Sequence, residues 1–544
     1  NNKEYSTNRG VHMKRIGIID VGSNSARLVI MEINESNGYR LVYNQKDPLR
    51  LALKTDKNGY LTEEAFASTI TCLRGFASMC HFFQADEIIA VATAAIRNAP
   101  NGGRLVKQVQ AQTGIDLEII SGKTEAYMSY LGVINTINVR DAVIFDLGGG
   151  STEIILVRDR KLAESISLPI GCVTLTRASR QQGASGLEDL KVMARLIAEQ
   201  LAKTPWLENC GLPLVGVGGT ARSIGKVEEK RQKYFTAKLH NFQFDLNDFK
   251  DWYKGLASTP PALRRRIPGL SSDRADVILG GSTIIKAIAD KARSKKLIIS
   301  GCGLREGLFC QYLHQRTGRP LIIPDILKES QNDMIHLYCP DEPHCRLVAK
   351  FTLELFQGWK KLHGLNQERW RPLLETAALL HDTGITINFY NHTRHSGYII
   401  ENSRLFGLSH MDVVFASIIA AWHHGINRTY LRNKPYRKLI TETDIQDLSK
   451  AALLLAMAEC LDYTQSGIIE DIEARVNGDM ATLTLIVRED PAVELNRLNS
   501  MMKWIRKTLG CPLTLLVKAG VPKASSALPG RAPSPDGTDA VRPG

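Results

Sequence analysis

The chain has 544 residues, of which 44% are hydrophobic and 23% are charged, which is enough apolar material for about three or four domains. Lys and Arg outnumber Asp and Glu by 69 to 56, and the formal net charge of +13 favours an acidic partner, with no nucleic acid expected. No apolar run reaches the roughly 18 residues of a membrane-spanning helix, no secretory leader is visible, and the ten cysteines lack a Cys-x-x-Cys pair, so we expect a cytoplasmic protein with reduced thiols and no membrane contact.

The first predicted element is a β-hairpin that holds a glycine-rich acidic loop. Short β-branched runs at 16–19 and 26–31 flank the loop Asp20-Val21-Gly22-Ser23-Asn24-Ser25. Glycine lets the backbone approach an anion, and the N–H groups and Ser hydroxyls of such a loop can hold phosphate oxygens. A carboxylate beside bound phosphate normally holds Mg²⁺ or orients a water, which makes Asp20 a candidate for either role.

A second loop of the same design follows an amphipathic helix at 62–83 and a strand at 87–92. It spans 146–153, again between two apolar runs, and supplies Asp146 and Glu153 as further acids. No Gly-x-x-x-x-Gly-Lys-Ser/Thr loop occurs, and strand rather than helix follows each loop, which argues against a P-loop NTPase. Two matching loops predict phosphate chemistry, and the alternative is a pair of ordinary hairpin turns.

The next part of the chain alternates strand and helix. Helical periodicity occupies 187–202 and 304–313, and strands are predicted at 213–217 and 297–299, each ending in glycine. This alternation favours α/β lobes that bind ligands at the ends of their strands.

Basic residues in the same half could hold an acidic chain. They are Arg222, Lys226 and the run Arg264-Arg265-Arg266. Runs of this kind are more often a solvated face than a binding site, so both interpretations stay open.

Seven short motifs follow one another through residues 14 to about 315. They are residues 18–25, 92–97, 120–126, 146–153, 216–220, 268–276 and 300–307. Together they resemble the exopolyphosphatase and guanosine pentaphosphate phosphohydrolase family, a branch of the actin-like ATPase superfamily. The resemblance implies an α/β fold of two ribonuclease-H-like lobes, 14–135 and 136–318, which face each other across a cleft lined by both glycine loops.

The resemblance also implies site residues. Glu125 falls at the family's general base, Arg97 at its phosphate-gripping arginine, and Asp146 and Glu153 at its Mg²⁺ ligands, with Asp20 as a further candidate. The residues that it places around the phosphates are Gly22, Ser23, Asn24, Ser25, Thr93, Gly148, Gly149, Gly150, Ser151, Gly218, Gly219 and Thr220. Without the family, Glu125 reads as a solvated acid in the first turn of a helix that Ser121 caps.

Helical periodicity dominates after a linker at 322–324, and we expect an all-α domain over 325–515. A second group of metal-ligating residues lies there: His344, His381, Asp382, His395, the pair His423 and His424, and Asp462. Adjacent His and Asp at a helix end can present a nitrogen and an oxygen to one cation.

This group resembles the HD phosphohydrolase superfamily, which uses divalent metals to cleave phosphate esters. The resemblance implies that His344, His381, Asp382 and Asp462 form the core ligand set for Mn, Mg, Fe or Zn, while His395 and His423 fall at accessory positions. Two alternatives remain: structural histidines, and an HD-like domain that has lost its metal and only lengthens a substrate channel or forms a dimer contact.

The favoured function is Mg²⁺-dependent hydrolysis of the terminal phosphate of inorganic polyphosphate. Alternatives are removal of the 5′ phosphate of guanosine pentaphosphate, an actin-like ATPase or kinase, and a non-catalytic sensor of polyanions or alarmones. The family implies a homodimer. We expect both ends of the chain, 1–13 and 523–544, to be disordered. The alternative for 1–13 is a remnant of cloning.

Overall fold

A computed structural model describes residues 13–181, 187–477 and 480–519. Residues 1–12 and 523–544, for which disorder was expected, lie outside the described residues. No helix in the described ranges is both long and apolar enough to cross a membrane.

The first lobe is built on a five-stranded mixed sheet with the order β3-β2-β1-β4-β5. Strand β1 pairs antiparallel with β2 and parallel with β4. The strands are β1 (Lys14–Val21), β2 (Ala26–Ile33), β3 (Tyr39–Asp47), β4 (Glu87–Ala92) and β5 (Leu117–Ile119). The helices are α1 (Glu63–Phe82), α2 (Ala94–Arg97), α3 (Gly102–Thr113) and α4 (Gly122–Ile134). The predicted hairpin and the predicted cap are both present, since the Thr62 side chain accepts from the N–H of Ala65.

The second lobe repeats this plan in a six-stranded sheet with the order β10-β11-β9-β6-β7-β8. Strand β6 pairs antiparallel with β7 and parallel with β9, as β1 does with β2 and β4. The strands are β6 (Ala142–Leu147), β7 (Thr152–Arg158), β8 (Lys161–Leu168), β9 (Leu214–Gly218), β10 (Phe242–Asp245) and β11 (Lys296–Ile299). The helices are α5 (Cys172–Gln181), α6 (Leu187–Leu201), α7 (Gly219–Arg231), α8 (Leu246–Ser258), α9 (Pro261–Arg264), α10 (Ile278–Ala292) and α11 (Leu304–Thr317). The repeated pairing agrees with the expected duplication.

Helices α4 and α11 bring the two lobes together through backbone contact. A Cβ at Gly307 would collide with the carbonyl oxygen of Met128, and a Cβ at Gly132 would collide with that of Gly303. Only glycine allows so close an approach. The contact holds the first turn of α4 and the start of α11 beside the same cleft.

The third region begins with seven helices around one apolar core. They are α12 (Ile326–Tyr338), α13 (Glu342–Gly358), α14 (Lys360–His363), α15 (Gln367–Leu379), α16 (His392–Asn402), α17 (His410–Ala421) and α18 (Glu442–Cys460). This part agrees with the helical prediction. It contacts lobe I through Asn34, whose Nδ2 donates to the carbonyl of His336, and lobe II through His410, whose Nε2 lies 2.8 Å from the carbonyl of His240.

The expectation that the whole of 325–515 is helical needs one correction. A three-stranded sheet of β12 (Ile469–Asn477), β13 (Met480–Val487) and β14 (Leu513–Ala519) packs on the helices, with α19 (Ala492–Ser500) and α20 (Met502–Leu509) between the last two strands. Ala481, Leu483 and Leu485 are fully buried and alternate with more polar residues along β13. That period of two is the signature of a strand with one face on a core.

Candidate active site and metal centre

The two glycine loops fold alike and touch each other. In the first loop the N–H of Gly22 donates to the carbonyl of Ser25 at 3.1 Å, and in the second the N–H of Gly148 donates to the carbonyl of Ser151 at 3.0 Å. A Cβ at Gly150 would lie 2.6 Å from the Ser23 hydroxyl oxygen. The loops therefore meet at the floor of the cleft between the lobes.

Most of the predicted cleft residues line one cavity of about 120 Å³. Those that do are Asp20, Gly22, Ser23, Asn24, Ser25, Thr93, Glu125, Asp146, Gly148, Gly149, Gly150, Ser151, Gly218 and Gly219. Three others lie outside its lining: Arg97, Glu153 and Thr220. Arg97 contacts the lining residue Glu125, and Glu153 is the cross-strand partner of the lining residue Asp146. Thr220 is buried in the first turn of α7.

Glu125 lies in the first turn of α4, which Ser121 caps by accepting from the N–H of Thr124. Its Oε2 accepts from the Arg97 guanidinium at 2.7 Å, and only 8% of the residue is exposed. Burial raises the pKa of Glu125 to about 7, although the hydrogen bond from Arg97 lowers it in part. The helix-cap interpretation is thus correct locally, yet this acid is buried and faces the cavity.

Three further carboxylates gather where the sheets end. Asp20 and Asp146 occupy equivalent places on β1 and β6, and Glu153 lies opposite Asp146 on β7. The Ser129 hydroxyl donates to Asp146 at 2.6 Å, and the Ser167 hydroxyl donates to Glu153 at 2.7 Å. Burial raises the pKa of all three acids, and repulsion from neighbouring carboxylates adds to the rise. Such crowding is relieved by a hard cation with oxygen ligands, so these residues fit Mg²⁺.

Four arginines, called here the arginine wall, also line the cavity, and sequence reasoning assigned only one of them. Arg222 was considered as a chain-binding residue, whereas Arg27, Arg274 and Arg305 were not singled out; all four line the cavity. Burial, with repulsion from Arg222 and Arg305, lowers the pKa of Arg27 to about 9. Guanidinium groups that repel one another in this way favour a ligand with several negative charges.

One signal could have found Arg27. In the predicted hairpin, Arg27 is the direct partner of Asp20 across β1 and β2, so the register places it at the acid. By contrast, Lys226 is exposed, and Arg264 is buried with its Nε donating to the carbonyl of Thr259. Among the described residues, neither these two nor Arg265 and Arg266 line the cavity.

The helical region brings the predicted ligands into one buried cluster, with one correction. His344 Nδ1 lies 2.8 Å from Asp462, and its Nε2 lies 3.8 Å from Asp382. His392 rather than His395 contacts Asp382, with its Nε2 3.4 Å from a carboxylate oxygen. His392 and His395 both lie in the first turn of α16, three residues apart and on nearly the same face, and it is the His392 ring that reaches Asp382.

His424 and Glu459 complete this cluster, and neither was assigned a ligand position from the sequence. His424 Nε2 lies 2.8 Å from Glu459, and His423 Nε2 lies 3.5 Å from the other oxygen of the same carboxylate. Among the described residues, two groups of three each bring their ligand atoms within 4.8 Å of one another. The first group is His344, His381 and Asp382, and the second is His392, His423 and His424. Beside the second group is a pocket of about 250 Å³ that Arg497 and Trp504 also line.

The imidazoles of this cluster are oriented for cation binding. The Nδ1 atoms of His381, His392 and His423 each lie 2.5 to 3.0 Å from the carbonyl three residues earlier. A carbonyl only accepts, so each Nδ1 carries the proton and each Nε2 presents a lone pair. The three Nε2 atoms are buried, and none has a hydrogen-bond partner among the described residues. This donor set fits a divalent metal.

A model of the Ppx/GppA phosphatase family matches residues 29–316, which is more than half of the 544 residues. A model of domain III of that family matches residues 326–501. The chain belongs to the Ppx/GppA phosphatase family. Members of the family hydrolyse phosphoanhydrides, and the helical region is their domain III.

The chain is similar to proteins with different activities. It is 26% identical to the guanosine-5′-triphosphate,3′-diphosphate pyrophosphatase of Pseudoalteromonas translucida over 86% of this chain and 91% of that protein. It is 31% identical to the bifunctional 3-dehydroquinate synthase/phosphatase of Fusobacterium nucleatum over 52% of this chain and 44% of that protein. An exopolyphosphatase structure from Cytophaga hutchinsonii shares the fold, with a TM-score of 0.51 and 24% identity over 56% of this chain and 98% of that one.

Proposed function

We propose that this Ppx/GppA family member is an exopolyphosphatase, which hydrolyses the terminal phosphoanhydride of inorganic polyphosphate with water as the nucleophile. The observation that carries the proposal is the buried carboxylate of Glu125, whose pKa is raised, in a cavity that further acids and four arginines also line. A chain of phosphates bound with a cation matches both sets of charges.

In this mechanism Glu125 positions the attacking water and takes its proton, because a base with a pKa near the working pH transfers protons most effectively. Arg97 orients the Glu125 carboxylate and keeps it next to the phosphate. The backbone N–H groups of both glycine loops and the guanidinium of Arg222 surround the phosphoryl oxygens, where charge builds up during transfer.

Mg²⁺ would be held by Asp146 and Glu153, with Asp20 as a third acid, and when bound it neutralises charge on the phosphate oxygens. The protein's own contribution at this place is to hold the three carboxylates at the strand ends, where Glu153 is buried and Asp20 and Asp146 are partly buried. Ser129 and Ser167 fix two of them by hydrogen bonds.

The rival substrate is guanosine pentaphosphate, which the same residues could hydrolyse. The Pseudoalteromonas relative, which aligns over most of both chains, favours it. We favour polyphosphate because a long substrate makes use of an extended basic path, and the net charge of the chain is +13. An ATPase or kinase and a non-catalytic sensor are less favoured, since Glu125, Asp146 and Glu153 are all in place for hydrolysis.

Phosphate release from long-chain polyphosphate, guanosine pentaphosphate and ATP, each with Mg²⁺, tests this proposal. Polyphosphate should give the highest kcat/KM, and the Glu125→Gln variant should release almost none. A higher kcat/KM for guanosine pentaphosphate would move the chain to that activity, while turnover that survives the substitution would rule out the mechanism.

We propose further that the helical region is HD-like and holds a divalent cation through His344, His381, Asp382 and Asp462. The specific support is the set of buried Nε2 atoms without hydrogen-bond partners around Asp382. Elemental analysis of the purified protein after dialysis against Mn²⁺, Fe²⁺ or Zn²⁺ tests this. The HD resemblance also suggests that this region is itself catalytic. Hydrolysis of a phosphate ester by the Glu125→Gln variant would reveal that activity. Light scattering checks the homodimer that the family implies, and cell fractionation checks the cytoplasmic location that the sequence led us to expect.

A further inference from the structure

Two thiols lie in contact at the joint between α12 and α13. The Sγ atom of Cys339 is 2.9 Å from the Sγ atom of Cys345. Cys339 follows the last residue of α12, and its N–H donates to the carbonyl of Ile335. Cys345 lies in the first turn of α13, which Asp341 caps by accepting from the N–H of His344. The backbone on both sides of the pair is therefore fixed by hydrogen bonds.

We propose that Cys339 and Cys345 form a reversible disulfide, a redox modification site separate from the cleft. A disulfide needs its sulfur atoms at about 2.05 Å, so the pair has less than an ångström to close. Rotation of the side chains can supply this movement without unwinding either helix. Among the described residues, Cys339 and Cys345 are the two cysteines recorded in mutual contact.

The difference in burial orders the steps of the reaction. Cys339 is partly exposed, whereas Cys345 is fully buried, so a peroxide reaches Cys339 first. The Cys339 sulfur, having lost its proton, attacks one peroxide oxygen; the O–O bond breaks, and a sulfenic acid and one water result. The Cys345 sulfur then attacks the Cys339 sulfur, the S–O bond breaks, and a second water leaves with the Cys345 proton. Two thiols lose two electrons, and one peroxide gains them.

The place of the pair gives the modification a structural meaning. Cys345 is next in the chain to His344, whose ring contacts Asp462 in the histidine cluster. Three residues before Cys339, the carbonyl of His336 accepts from Asn34 of lobe I. A crosslink would thus tie the segment that touches lobe I to the turn that carries His344, while no residue of the cleft cavity takes part.

The test uses the full chain. The wild-type protein is treated with hydrogen peroxide under native conditions. Free thiols are then blocked with N-ethylmaleimide in denaturant, so that the buried Cys345 can also react, and the tryptic peptide 329–346, which contains both cysteines, is weighed. We expect this peptide to be lighter by two hydrogens and to carry no label, and dithiothreitol before blocking should restore two labels. In Cys339→Ser the peptide should carry one label, on Cys345.

Cys210→Ser is the matched control, because Cys210 is partly exposed and its recorded sulfur contact is with the carbonyl of Ala292. This variant should crosslink as the wild type does. The proposal is overturned if peptide 329–346 keeps two labels at a peroxide dose that modifies Cys210, if Cys339 proceeds to sulfinic acid without a crosslink, or if either cysteine pairs elsewhere. The readout is a mass, so it is independent of the proposed substrate and of any bound metal.

Discussion

The cleft and the histidine cluster are the two places where we propose a metal ion, and their electrostatics differ. In the cleft, carboxylates and arginines crowd together, and burial with repulsion between like charges shifts the pKa values of both kinds of group. In the cluster, imidazoles are oriented by hydrogen bonds to backbone carbonyls, and those of His381 and His392 approach Asp382. A cation and an anion together would therefore balance the charges of the cleft, whereas a cation alone would match the donor atoms of the cluster.

The largest expected effect separates the two sites by catalysis. Glu125→Gln should lower phosphate release from polyphosphate by about a thousandfold, because a positioned base contributes on that order, while polyphosphate binding stays near the wild-type level. The control is Glu118→Gln, an exposed acid on β5 of the same lobe. Single-turnover rates and filter binding measure the two quantities, and near-normal turnover would mean that the base lies elsewhere.

The second effect separates the two sites by metal content. His392→Ala should weaken Mn²⁺ binding in the helical region roughly tenfold or more, because the Nε2 of His392 contacts the proposed ligand Asp382, whereas His395→Ala should leave it unchanged. Phosphate release at the cleft should stay within about twofold in both variants because no cleft contact changes. Equilibrium dialysis with elemental analysis measures the bound Mn²⁺. Weaker binding in His395→Ala alone would show that His395, and not His392, belongs to the metal site.

The third effect concerns the arginine wall. Arg222→Gln should raise KM for polyphosphate about tenfold, the loss expected for one charge-assisted hydrogen bond, and the rise should shrink at high salt. Arg265→Gln removes an exposed charge of the basic run outside the cavity and should leave KM unchanged. Initial rates over a range of salt concentrations measure KM. Equal effects of the two variants would show that polyphosphate binds along the surface that carries Arg265.

The last effect is a dependence on pH. A base must be deprotonated to act, and burial raises the pKa of Glu125 to about 7. The rate should therefore fall about tenfold for each unit of pH below 7 and level off above it. The pH profile of kcat/KM on polyphosphate checks this sign, and a rate that is flat from pH 5 to 8 would be inconsistent with Glu125 as the base.

Much of the cleft could be predicted because its residues occupy fixed places in repeated local patterns. The hairpin loops and their acids were predicted by strand, turn and strand in sequence. Glu125 needed a family motif, since burial of a first-turn acid depends on what packs over it. The arginine wall was mostly missed because its members come from β2, α7, α11 and a turn near Arg274, which meet only in the folded chain.

The helical region was predicted less completely, for similar reasons. Helical spacing places His392 and His395 on nearly the same face, so the sequence could not decide between them. The sheet of β12, β13 and β14 escaped because a helical expectation was extended past α18, although the alternation along β13 was visible.

The glycines at the crossing of α4 and α11 have a consequence for variation in this sequence. In a library that samples every substitution, Gly307 and Gly132 should tolerate change as poorly as Glu125 does, although neither lines the cleft cavity. Any side chain there would push a helix off its neighbour's carbonyl and displace Glu125 and Arg305 from each other. Some positions in this chain would thus be intolerant of substitution only because two backbones approach closely there, and not because the residue has a chemical role.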